Sequence, residues 1–301
     1  MNINKTGLFI LFSFGISWGS YAARTIAHIE DTSVASAVFG VLYLAGPAMA
    51  TFVIQKCIYN EGFKQYGWSF DKRNYKWFLY TPLLFIALIL MIFVVIGIFG
   101  NTNIIPQFGQ LDFCRHNFKY EFFRSSKIYM NIANPTSIPV SVCVIWVIGV
   151  AVIAGITVYI PVVFCEEFGW RGLMLKETQP LGFLTSNIFI GITWGLWHLP
   201  LILHGTNYPN HPNFGILMMC IMTTTLAPIV AYVRLKTKSL LGACMLHGMI
   251  DASAPVFAFY VVKPNELYGS PVGWAGMIVF IFMTLFIYVF DREFVANYAR
   301  I

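Results

Sequence analysis

Hydrophobic and polar residues alternate along this chain on a long scale, with apolar runs separated by short polar breaks. The runs lie at roughly 7–27, 33–54, 77–99, 139–164, 183–203, 214–233, 239–260 and 271–290. Each has about the 20 predominantly apolar residues that a helix needs to cross the hydrocarbon core. The pattern predicts an all-α polytopic membrane protein of about eight transmembrane helices. Residues 1–301 then form a single integral membrane domain, with no room for a separate soluble one. The first run, with Lys5 before it, imitates a signal peptide. Seven further runs and no clear small-residue cleavage site make it a retained helix.

Composition excludes the alternatives. Of 301 residues, 58% are hydrophobic, 17% aromatic and 11% charged, with a mean hydropathy of +0.70. Soluble domains are about 45–50% apolar and about 25% charged, so this chain has too little charge to cover a water-facing surface. Disorder and repeat architectures fail on the abundance of Phe, Ile and Leu and the lack of a fixed period.

The net charge of +6 reads as the basic excess of cytoplasmic loops rather than as a nucleic-acid footprint. No aromatic and basic cluster sits in a polar domain, so no nucleic-acid partner is expected. With a cytoplasmic N-terminus, 13 of the 19 basic residues fall on inside segments. These are Lys5, Lys56, Lys64, Lys72, Arg73, Lys76, Arg171, Lys176, Arg234, Lys236, Lys238, Arg292 and Arg300. The outside retains Arg24, Arg115, Lys119, Arg124, Lys127 and Lys263. This predicts cytoplasmic N- and C-termini in an integral cell-membrane protein. The loop over 100–138, mixing Phe118, Lys119, Tyr120, Phe122, Phe123 and Arg124, is expected to lie in the membrane interface.

Small-residue pairs at Gly15/Gly19 and Gly191/Gly195 are expected to let helices approach closely. Prolines in or beside the runs, such as Pro47, Pro161 and Pro200, are expected to kink them. The six cysteines, without a CxxC pair, read as small buried hydrophobes.

Candidate chemistry comes from ionisable side chains at membrane depth, which are costly unless paired or facing water. Glu166 and Glu167 end the fourth run. Neighbours on a helix differ by about 100°, so the two carboxylates point apart. Glu167 and Arg171, four residues apart, can pair on one face. His198 follows Trp194 and Trp197 in the fifth run, and His247 and Asp251 share a face of the seventh. Taken singly, the glutamates with Arg171 also read as a solvated charge pair at a helix end, His198 more usually as a hydrogen-bonded core residue, and His247 with Asp251 equally well as a structural hydrogen bond. His204 and His211 flank a polar loop and are expected to be solvated. The three stretches meet at one depth if the fourth helix continues to about Glu177. No proline falls between Pro161 and Pro180 to stop it.

The motifs Glu166-Glu167-x-x-x-Arg171, Trp194-x-x-x-His198 and His247-x-x-x-Asp251, each in an apolar run, resemble the type II CAAX prenyl endopeptidase and bacteriocin-processing family of intramembrane proteases, also called the abortive infection family. The resemblance covers a motif-bearing core over about 140–255. It implies peptide-bond hydrolysis in a membrane-associated substrate, a lipidated C-terminus or a leader peptide. Glu166 and His198 would activate water, and His247 and Asp251 would stabilise the oxyanion. Glu167 and Arg171 would be an orienting pair.

Two positions depart from the family pattern. Trp194 stands where phenylalanine is more usual. Asp251 often has an asparagine counterpart, whose amide is a ready donor; an aspartate donates only when protonated, or else orients His247 or binds a metal. Zinc held by Glu166, His198 and His247, and a metal-free glutamate mechanism, both remain open. No His-Glu-x-x-His, Gly-x-Ser-x-Gly or paired-aspartate signature is present. The alternative function is a non-catalytic immunity or scaffold protein, or a transporter, that keeps the polar cavity.

Overall fold

A computed structural model describes residues 2–67, 74–114 and 139–300. Within them the chain is helical almost throughout. Five helices are long and apolar enough to cross a membrane: α1 (Ile3–Ile26), α2 (Val34–Ile58), α3 (Tyr75–Asn101), α8 (Pro212–Thr237) and a unit over Leu240–Tyr260. That unit divides into α9 (Leu240–Asp251) and α10 (Ala254–Tyr260). A sixth crossing is broken: α4 (Val140–Ile156) and α5 (Ile160–Leu181) meet at a 57° bend.

The remaining two of the eight expected runs form shorter helices. The fifth run forms α6 (Phe183–Trp197), stops at His198 and resumes as the short α7 (Leu199–Leu203). At 15 residues, α6 is about 22 Å long, short of the ~30 Å core. The last run gives α11 (Trp274–Phe290), of 17 residues, followed by α12 (Arg292–Asn297). Strands β1 (Gln110–Leu111) and β2 (Val261–Val262) pair antiparallel beside α3 and α10. The expected interfacial segment around Phe118–Arg124 lies outside the described residues, as do Lys72 and Arg73.

Why the breaks fall where they do is local. Pro161 occupies the first turn of α5, where its missing N–H costs nothing but where it cannot continue α4. Beyond Glu167 the chain stays helical, wound as a π-helix over Phe168–Met174, and runs on to Leu181. The continuation expected from the lack of proline is therefore present.

Close packing is carried by some of the expected glycines and not by others. A methyl group at Gly191 would lie 2.3 Å from the Thr224 Cα, and one at Gly195 2.5 Å from the Cys220 Cα. These two glycines let α6 and α8 lie nearly backbone to backbone. Gly15 and Gly19 have nothing within 4 Å, so the spacing on α1 serves no contact in the described residues.

The core is built around α8, with Trp170, Trp194, Trp197 and Phe9 fully buried. Outward faces are apolar too: Val41, Leu83, Ile145, Trp146, Ile153, Phe282 and Leu285 are exposed. Such a belt suits hydrocarbon rather than water.

Polar contacts gather at the two ends. At one, Lys5 pairs with Glu61 and lies 3.9 Å from Glu177, Lys236 pairs with Asp291, and the Gln179 amide donates to the Tyr298 carbonyl. At the other, Arg24 pairs with Asp31 and Glu266 accepts from Asn210. Arg171 belongs to neither end. It is buried in the helix interior, which corrects its place among the loop residues that mark the cytoplasmic side.

Candidate active site

Adjacent glutamates on α5 point to different partners, as helical geometry requires. Glu166 Oε2 accepts from the Trp194 indole Nε1 at 2.9 Å, which links α5 to α6. Glu167 Oε1 accepts from Arg171 Nη1 at 2.8 Å and from His247 Nδ1 at 2.9 Å. Glu167 is fully buried. A buried carboxylate alone would carry a heavy desolvation cost; flanked by a guanidinium and an imidazole it is compensated. The Arg171 guanidinium also lies over the Trp194 ring, 4.3 Å from its centroid.

His198 sits where α6 ends. Its Nδ1 is 2.8 Å from the Trp194 carbonyl oxygen. A carbonyl can only accept, so Nδ1 carries the proton and Nε2 keeps its lone pair. The preceding carbonyl, of Trp197, accepts from Trp18 Nε1 at 3.0 Å and from the Tyr43 hydroxyl. Trp197 Nε1 in turn donates to Ser17 Oγ at 2.8 Å. Three side chains from α1 and α2 thus fix the helix end that presents His198.

His247 stands edge-on to Trp194, with ring centroids 5.1 Å apart. Its second nitrogen, Nε2, lies 3.5 Å from Asp251 Oδ2, one turn further along α9. The Asp251 side chain is 42% exposed because it faces an open cavity rather than the packed core.

That cavity, of about 820 Å³, is bordered by Glu166, Trp194, His198, His247 and Asp251 together. Glu167 and Arg171 lie behind this wall and reach the cavity only through His247 and Trp194. The cavity continues past Met219 and Phe257 to Asn207, Asn210, His211 and Glu266. His211 was expected to be solvated. Its ring is indeed half-exposed, but it lies 3.1 Å from Glu266 and lines the cavity. His204 is exposed, 3.8 Å from Asp31, and does not line it.

Among the described residues, no three His, Cys, Asp or Glu side chains are gathered as a metal-binding group. Glu166, His198 and His247 share a cavity, and Glu166 and His198 each keep one donor atom free of the hydrogen bonds described above, but the three are not gathered as one metal-binding group.

Tyr43, Trp18 and Ser17 are the site residues that the motifs do not reveal. The one sequence signal was a tyrosine hydroxyl in the middle of an otherwise apolar run.

Comparison with known proteins locates the same region. The model for the Rce1-like type II CAAX prenyl endopeptidases matches residues 142–253, from the start of α4 to the break after α9. Over residues 142–253 the chain is therefore similar to this family. A stretch of 115 residues is also 29% identical to CAAX prenyl protease 2 of Methanococcus maripaludis. That match covers 34% of this chain and 42% of the relative, less than half the length of either. Every motif residue, from Glu166 to Asp251, lies inside the Rce1-like segment. Trp18, Ser17 and Tyr43, which buttress His198, lie outside it.

Proposed function

We propose that this chain is an intramembrane endopeptidase that hydrolyses a peptide bond with water activated by Glu166 and His198. The observation that carries the proposal is the meeting of Glu166, His198, His247 and Asp251, from three helices, on one cavity. The Rce1-like segment supports a CAAX-type peptidase in general terms.

The chemistry follows from the free valences. Glu166 has one oxygen on Trp194 and the other available to a water. His198 has an unprotonated Nε2. Either group can take a proton as the water oxygen attacks the peptide carbonyl carbon. The carbonyl π electrons move to oxygen, and this oxyanion needs a donor. A doubly protonated His247 supplies one from Nε2 while its Nδ1–H stays on Glu167. Asp251, ionised and 3.5 Å from Nε2, favours the doubly protonated ring by its charge and leaves the Nε2–H to the oxyanion, a role that needs no proton of its own. The proton held by Glu166 or His198 then passes to the amide nitrogen as the C–N bond breaks. The products are a new carboxylate and a new amine. Glu167 and Arg171 act as positioning residues through His247 and Trp194.

We place the end bearing Lys5, Lys176 and Lys236 in the cytoplasm, from the excess of basic residues there. Quenched-fluorescence peptides, one ending in a farnesylated Cys-aliphatic-aliphatic-X sequence and one unlipidated leader peptide, test the reaction class in vesicles containing the purified protein. Hydrolysis in heavy-oxygen water should put one solvent oxygen in the new carboxylate. No cleavage of either peptide, or transfer without solvent oxygen, would overturn the proposal.

A further inference from the structure

Among the described residues the cavity extends from the motif side chains toward one end of the bundle, and that end is identified by the loops that border it. From Glu166 and His247 it passes to Asn207, Asn210 and Glu266, between α6, α8 and α9. Below the motif residues the helices close over fully buried side chains, among them Leu173, Met174, Ile190, Ala243 and Leu246. No residue of the Lys5, Glu61 and Glu177 cluster, or of the Lys236 and Asp291 pair, borders the cavity. The mouth and those clusters therefore lie at opposite ends of the bundle.

Basic residues are not shared equally between the ends. The closed end holds Lys5, Lys56, Lys64, Lys76, Lys176, Arg234, Lys236, Lys238 and Arg292 among the described residues, and the mouth end Arg24 and Lys263. With the whole chain included and the buried Arg171 set aside, the alternation of loops gives twelve against six. Lysine and arginine in short loops mark the cytoplasmic side. Arg24 at the mouth end is moreover paired with Asp31.

We infer that the cavity opens on the extracytoplasmic face, so that it receives a peptide presented from outside, such as an exported or outer-leaflet peptide, rather than a cytosolic C-terminus. The substrate half of this inference rests on the peptidase reading, and the direction of opening does not. The mouth suits such a ligand. Asn207, Asn210, His211 and Glu266 offer both donors and acceptors to a backbone threading inward, and Met219, Met222 and Phe257 line the passage behind them.

The test uses full-length protein in spheroplasts of a bacterial host, with exposed Cys57 and Cys114 changed to serine. Thr206→Cys places a thiol at the mouth, and Lys64→Cys places one at the closed end. A membrane-impermeant maleimide should modify the Thr206→Cys protein in intact spheroplasts, and the Lys64→Cys protein only after permeabilisation. The reverse pattern overturns the inference. A quenched, membrane-impermeant peptide is added in parallel to intact spheroplasts and to the detergent-solubilised protein. Cleavage in both, lost in Glu166→Gln, supports the full inference. Cleavage only after solubilisation overturns the direction while the peptidase reading stands. Outward labelling without cleavage in either sample defeats the substrate half and the peptidase reading, and the direction stands.

Discussion

Trp194 donates its indole N–H to Glu166 and receives the imidazole of His198 on its own backbone carbonyl, at 2.9 and 2.8 Å. One residue thus sets the positions of both proposed bases. The aromatic position four before the histidine is therefore more than packing: a phenylalanine there could fill the space but could not hold Glu166. Trp194→Phe is expected to keep the fold and lower kcat/KM. A hydrogen bond to a charged group is worth about 1.5–3 kcal/mol, so a loss of roughly 10- to 150-fold is expected. Steady-state kinetics with the unfolding midpoint measured alongside would check this; unchanged kinetics would leave the indole N–H without a role.

Glu167 and Arg171 form a fully buried pair with His247 as third member. Removing one partner of such a pair strands the other, at about 3–5 kcal/mol. Glu167→Gln and Arg171→Met should each lower the thermal midpoint sharply. The double variant should recover much of that stability without recovering activity, because His247 would still lack its carboxylate. Activity regained together with stability would argue that the pair is structural only.

The Trp197 carbonyl, anchored by Tyr43 and Trp18, fixes the turn that carries His198. Tyr43→Phe removes one donor and should cost about 1 kcal/mol of stability. Because it acts through the orientation of His198, kcat should fall while KM changes little. A rise in KM alone would place Tyr43 in substrate binding instead.

Acid should loosen the closed end first. The hydrogen bond from Lys5 holds the Glu61 carboxyl below its ordinary range, overcoming a small desolvation effect. Burial pushes Asp291 upward, but Lys236 and Tyr232 outweigh it and its pKa is also depressed. Groups depressed on folding contribute stability that is present above their unfolded pKa, about 4, and lost as pH falls through the folded value. Unfolding midpoints measured from pH 6 down to about pH 3 should decline in the wild type and flatten in Glu61→Gln combined with Asp291→Asn. An equally steep decline in that variant would place the acid sensitivity elsewhere.

Much of this was legible from residue order, for a physical reason. Hydropathy registers where hydrocarbon is crossed, and spacing by four registers which side chains share a helix face. Glu167 with Arg171 and His247 with Asp251 follow from that spacing alone. Spacing says nothing about what approaches from another helix. The bonds from Trp194 to Glu166 and from His247 to Glu167 join residues 28 and 80 apart in sequence. Hydropathy does not register a break inside an apolar run; the bend before Pro161 and the stop at His198 leave the run equally apolar, and only Pro161 and Pro200 mark them. Gly15 and Gly19 show the converse, a close-packing spacing that packs against nothing within 4 Å.

Placement of Glu166 and His198 on one cavity as the groups that activate water is the central claim. Its most direct measurement is cleavage of a quenched peptide by Glu166→Gln and His198→Ala in lipid vesicles, each variant first shown to unfold at the wild-type temperature. The expected result is a fall in kcat of about 10²- to 10⁴-fold for each, the usual contribution of a positioned acid–base group. Wild-type turnover in either folded variant would contradict the claim.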